Sequence, residues 1–91
     1  MRRRGFMEQI PLSVGLPAEP APGKPLIELI GDRRVLIENH RGITAYGCHE
    51  IQVNVSFGAV VVCGSGLQIV QMTQQQLVII GCIDAITIKR R

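Results

Sequence analysis

"IQVNVSFGAVVVC", residues 51–63, decides the fold. In its first part apolar and polar residues alternate strictly: Ile51, Val53, Val55 and Phe57 against Gln52, Asn54 and Ser56. Successive side chains of a strand point to opposite faces, so this is a half-buried strand with a polar contact face formed by Gln52, Asn54 and Ser56. Gly58 then turns the chain into "AVVVC" (59–63), a continuous apolar run of the kind a fully covered strand carries.

The same texture extends in both directions. "LIELIG" (26–31), "RVLIE" (34–38) and "ITAYG" (43–47) precede it; "LQIVQM" (67–72), "LVIIGCI" (77–83) and "AITIK" (85–89) follow. Ile, Val and Leu dominate these runs, and β-branched aliphatics favour pleated surfaces. Breaks fall at Asp32, at Asn39–Gly42, at "GSG" (64–66), at Thr73–Gln76 and at Asp84. The spacing predicts an all-β, single domain of about seven short strands, rolled up as an antiparallel meander. The spacing of "LQI" and "LVI" suits the stacked rungs of a short β-solenoid as well. Only "TQQQL" (73–77) has the composition for a turn of helix. Residues 1–24 are punctuated by Pro11, Pro17, Pro20, Pro22 and Gly23 and read as an irregular tail, leaving 25–91 as the domain. That tail also carries Phe6, Met7, Ile10, Leu12 and Val14, enough for a docking peptide.

Ninety-one residues make one domain with a thin core, and Phe6, Tyr46 and Phe57 are its only aromatics. Such a chain is expected to lean on a protein partner or on a second copy of itself. The net charge of +3 sits at the ends, in Arg2, Arg3, Arg4, Lys89, Arg90 and Arg91. Residues 5–88 hold four basic and seven acidic residues, a balance of −3. Two basic tips on an acidic body suit an anionic membrane surface, or a small nucleic-acid-binding β-barrel that uses its termini. Solvated, frayed ends are the plainer and preferred account of them. Cys48, Cys63 and Cys82 are an odd number without tight spacing, which favours a reducing compartment over a disulfide framework. No apolar run approaches the roughly 20 residues a membrane helix needs, and the N-terminus lacks a signal-peptide core. A cytoplasmic protein is expected.

The densest chemistry lies in Glu38, Asn39, His40, Arg41 and Gly42. Asn early and Gly late suit a four-residue hairpin turn between two apolar strands, with His40 and Arg41 at an exposed tip that a partner would touch. As catalysis, His40 would be a base and Arg41 an anion clamp, but no nucleophile motif and no close carboxylate pair completes the set. Cys48 and His49 are neighbours on a strand and face apart, which does not make a nucleophile and its base. The Cys and His residues show no ligand spacing for zinc, and Cys63 and Cys82 sit in apolar runs as small core residues. "CGSGLQ" has no Lys-Ser/Thr and no helix after it, so it is no phosphate loop. No cofactor, metal, small-molecule substrate or enzymatic activity is expected. Nucleic acid is a weak prospect, because stacking aromatics are scarce and the body is acidic.

"IGDRRVLIENHRGITAY", the "EIQVNVSFG" segment and "GSGLQIVQMTQQQLVIIGCIDAITI" together resemble the YabP/YqfC family of sporulation proteins, and the YqfC branch most. The likeness rests on Pro25 through Gly31, on Ile37 through Gly42 and on Leu77 through Ile88. Gly23-Lys24 replaces the family's acidic residue and Leu, and the middle strands are more Gln-rich and apolar than is usual for it. The resemblance implies a non-enzymatic protein of the mother cell of an endospore former, needed for spore morphogenesis. It also implies a YqfD-like membrane protein as partner, with this chain held peripherally at a membrane.

Overall fold

The computed structural model describes residues 23–91. They form six strands: β1 (Leu26–Ile30), β2 (Arg34–Glu38), β3 (Ile43–Tyr46), β4 (Glu50–Val55), β5 (Gly58–Met72) and β6 (Gln76–Arg90). All pair antiparallel in one open sheet of order β1-β2-β6-β5-β4-β3. The all-β reading holds. A solenoid would need parallel rungs, and a closed barrel would need β1 to meet β3; neither pairing occurs among the described residues.

The strand count differs from expectation for one physical reason. "GSG" and Asp84 do not end strands; they bulge them. β5 and β6 are 15 residues each and pair as one long hairpin. Its register slips between Cys63 and Gly64, between Ser65 and Gln68, and between Ile69 and Gln71. At the first slip Cys63 opposes Ala85 and Gly64 opposes Ile83, so Asp84 is the extra residue. A bulge changes which alternate residues face the core. Leu77, Ile79 and Ile83 face it before Asp84, and Ile86 packs against it afterwards. On β5 the core residues are Val60 and Val62 before the glycines and Leu67 after them.

The bulges divide the hairpin into two halves. One half pairs Glu50–Val55 of β4 with Gly58–Cys63 of β5. The other pairs Arg34–Glu38 of β2 with Gln76–Ile80 of β6. Val35, Ile37, Leu77 and Ile79 from one half join Ile51, Val53, Val55, Val60 and Val62 from the other in a single cluster, all fully buried. The alternation read in residues 51–57 is therefore observed, with Phe57 packed at the cluster's rim. The polar link after β5 is a turn rather than helix: the Thr73 hydroxyl accepts the N–H groups of Gln75 (3.3 Å) and Gln76 (2.9 Å). The tail's apolar residues and Arg2–Arg4 lie outside the described residues. The C-terminal basic residues are not frayed, because β6 runs to Arg90 and the Arg91 N–H bonds the Phe57 carbonyl at 3.1 Å.

Candidate functional site

Glu38 to Gly42 is not a hairpin tip. β2 pairs with β1 and β6, whereas β3 pairs with β4, so the stretch is a crossover from one half of the sheet to the other. Turn chemistry alone cannot tell these apart, because both need a tight bend and both favour Asn and Gly.

Each residue of the crossover has a tether. The Glu38 carboxylate accepts from the Gln76 side chain at 3.2 Å. Asn39 adopts the left-handed conformation (φ 62°), which its short polar side chain tolerates. Its N–H donates to the Gln75 carbonyl, and its amide Nδ2 donates to the Lys24 carbonyl at 2.8 Å. Gly42 sits at φ 104°, a conformation that favours glycine. Arg41 N–H bonds the Asn54 carbonyl at 2.7 Å, and Asn54 N–H bonds the Gly42 carbonyl at 2.8 Å, which carries the chain into the β3–β4 pair.

His40 was expected at an exposed tip and is instead buried, at 8% exposure. Its Nδ1 accepts the Gly42 N–H at 3.0 Å, and its Nε2 lies 2.8 Å from the Thr73 carbonyl. These partners assign the neutral tautomer with the proton on Nε2. The imidazole thus ties the crossover to the β5–β6 turn, with both nitrogens committed and none free to act as a base. Arg41 alone of the pair projects into solvent. His40→Ala removes a buried ring and leaves the Thr73 carbonyl and the half-buried Gly42 N–H without their partner, at an expected cost of about 1–2 kcal/mol. Arg41→Ala is expected to stay within about 0.5 kcal/mol. Urea denaturation of both variants measures the contrast, and a stable His40→Ala chain would refute the tether.

The polar face is only partly as expected. Gln52 and Asn54 are half-buried and line a shallow cavity with Gly58, Ala59, Lys89, Arg90 and Arg91. Ser56 does not join them: it lies in the β4–β5 turn, and its hydroxyl is buried without a hydrogen-bond partner. Arg91 clamps that turn by donating to the Val55 (3.1 Å) and Ser56 (3.3 Å) carbonyls. Arg90 lies over the Phe57 ring, 5.2 Å from its centroid. A base cannot stack on that covered face. The grouping of Gln52 and Asn54 with three cations was missed from sequence, because it depends on the 35-residue return of β6 to the β4–β5 turn.

The cysteines lie outside the core cluster, contrary to expectation for Cys63 and Cys82. Cys82 is exposed, with Arg33 Nη1 3.1 Å from its sulfur, and Cys63 is half-buried. Cys48 and His49 lie in the β3–β4 link rather than on a strand. There the Cys48 carbonyl accepts Leu67 N–H, the His49 carbonyl accepts Gly64 N–H, and the His49 ring bonds the Gly64 carbonyl at 3.1 Å. The link is thereby hooked onto the bulge of β5. Among the described residues no three His, Cys, Asp or Glu side chains are grouped to hold a metal ion. None of these residues forms a helix long and apolar enough to cross a membrane.

Compared with known protein families, residues 22–91 match the family model described as the YabP family. No curated protein and no solved structure matches the chain.

Proposed function

The chain belongs to the YabP family, which implies a sporulation-related protein, and from that premise we propose a non-enzymatic β adaptor for spore morphogenesis. It acts in the mother cell, on the cytoplasmic side, and docks a membrane protein of the YqfD type. One observation carries the adaptor reading. The sheet is open, and its edge strand β1 has no outer partner among the described residues while it exposes Leu29 (49%) and Ile30 (51%). An unpaired edge with apolar side chains invites strand addition from a partner.

Two surfaces flank that role. Arg41 projects from the crossover, and Lys89, Arg90 and Arg91 rim the shallow cavity beside Gln52 and Asn54. A cationic rim of this kind favours a position close to an anionic membrane surface.

Deleting the gene in its own organism and counting heat-resistant spores tests the reading. A sharp drop restored by the intact gene is expected, and normal counts would sink it. A chain carrying Leu29→Asp and Arg41→Ala should keep its fold yet fail to restore the spores. Full rescue by that chain would remove β1 and Arg41 from the contact.

A further inference from the structure

β6 is covered on both sides only in its first half. On the side away from β5, β2 pairs with residues 76–80, and the turn before β2 adds bonds from Gly81 N–H to Arg33 and from Ile83 N–H to Asp32. Beyond that point, residues 84–90 have no outer partner strand among the described residues. We infer that this free edge, "DAITIKR", pairs antiparallel with the same edge of a second copy about a two-fold axis at Thr87.

The backbone phase permits it. Arg91 N–H points toward the β4–β5 turn, so by the period of two Lys89, Thr87 and Ala85 also direct their backbone groups toward β5. Ile86, Ile88 and Arg90 then direct theirs outward. With Thr87 on the axis, Ile86 lies opposite Ile88 of the second copy, and these outward-directed residues form the hydrogen-bonded pairs. Thr87 faces its own copy in a non-hydrogen-bonded pair, where side chains approach most closely.

The side chains fit the same register. Asp84 lies opposite Arg90 of the second copy, twice over by symmetry, and opposite charges across a ladder are favourable. Ile86 and Ile88 share the face of their β5 partners Val62 and Val60, which are fully buried. Ile88 is nevertheless 43% exposed, because the core face stops at this edge. Pairing would carry that face across the axis and cover both isoleucines. β3, β4, β5 and β6 would continue into their symmetry mates as one sheet.

The other edges lack this match. On β1 the equivalent axis falls at Glu28 and sets it against its own copy, which is repulsive. β3 is four residues long and its register shifts between Ile43 and Ala45. The outer edge of β5 is broken by the shift between Ile69 and Gln71.

The full chain, kept reduced, is examined by sedimentation over a concentration series. A dimer is expected, and Asp84→Arg or Arg90→Asp alone should raise its dissociation constant roughly tenfold. The double exchange, Asp84→Arg with Arg90→Asp, should bring it back. Thr87→Cys, mildly oxidised, should yield a linked dimer well above the level the native cysteines give. Circular dichroism confirms that each variant remains folded. A chain monomeric at every concentration overturns the inference, as does a dimer indifferent to both charge reversals.

Discussion

Replacing Gly64 with alanine is expected to destabilise the domain by about 3 kcal/mol. The reason is geometric rather than entropic. A Cβ at this position would overlap the carbonyl oxygen of Cys82 across the β5–β6 ladder and press on the Ile83 Cα as well. Both are backbone atoms, so no rotamer change relieves the contact. Gly64 also holds the bulge that turns the sheet, and its own N–H is engaged by the His49 carbonyl. For a domain of this size the melting temperature should fall by more than about 10 °C. Calorimetry decides the matter: a shift of a degree or two would mean that the bulge is not built as described.

Ile37→Ala should cost about 2–5 kcal/mol, because the side chain is fully buried and its loss opens a cavity. Its position makes the result more telling than the magnitude. Ile37 sits on β2, one residue before Glu38 and the crossover, and its cluster contains residues from both halves of the sheet. The two halves should therefore melt together, in the variant as in the native chain. Urea curves followed by circular dichroism and by Tyr46 fluorescence should superimpose, since Tyr46 lies in the half remote from the substitution. Separate transitions would show two independent sheets rather than one folded core.

The all-β class, the alternation of residues 51–57 and the left-handed Gly42 were legible in the sequence, because each is a local property. The bulges were half-legible. In "AVVVCGSGLQIV" the positions in the core cluster pass from even numbers, Val60 and Val62, to the odd-numbered Leu67. In "LVIIGCIDAITI" they pass from Leu77, Ile79 and Ile83 to Ile86. A phase change of this kind marks an inserted residue within a strand, but without the partner strand it looks the same as a break. The crossover was beyond reach, since nothing in Asn39–Gly42 says that β2 pairs with β6, residue 37 lying opposite residue 77. For the same reason His40 was placed in solvent: the carbonyl its Nε2 meets belongs to Thr73, 33 positions away.

The strand order also sets the sequence of folding events. β3, β4, β5 and β6 are neighbours in the chain as well as in the sheet, so each ladder closes over a short loop, and β1 and β2 form a hairpin of their own. Joining that hairpin to β6 brings together segments some forty positions apart, the costliest closure in the domain, since loop entropy rises with length. Loop entropy therefore predicts that the four-strand meander forms early and the attachment of β1–β2 comes last, so that substitutions in β2 should chiefly speed unfolding rather than slow folding. Until that attachment is made, the first half of β6 offers a raw strand to solvent, and the imidazole of His40 is the latch that sets when it is covered.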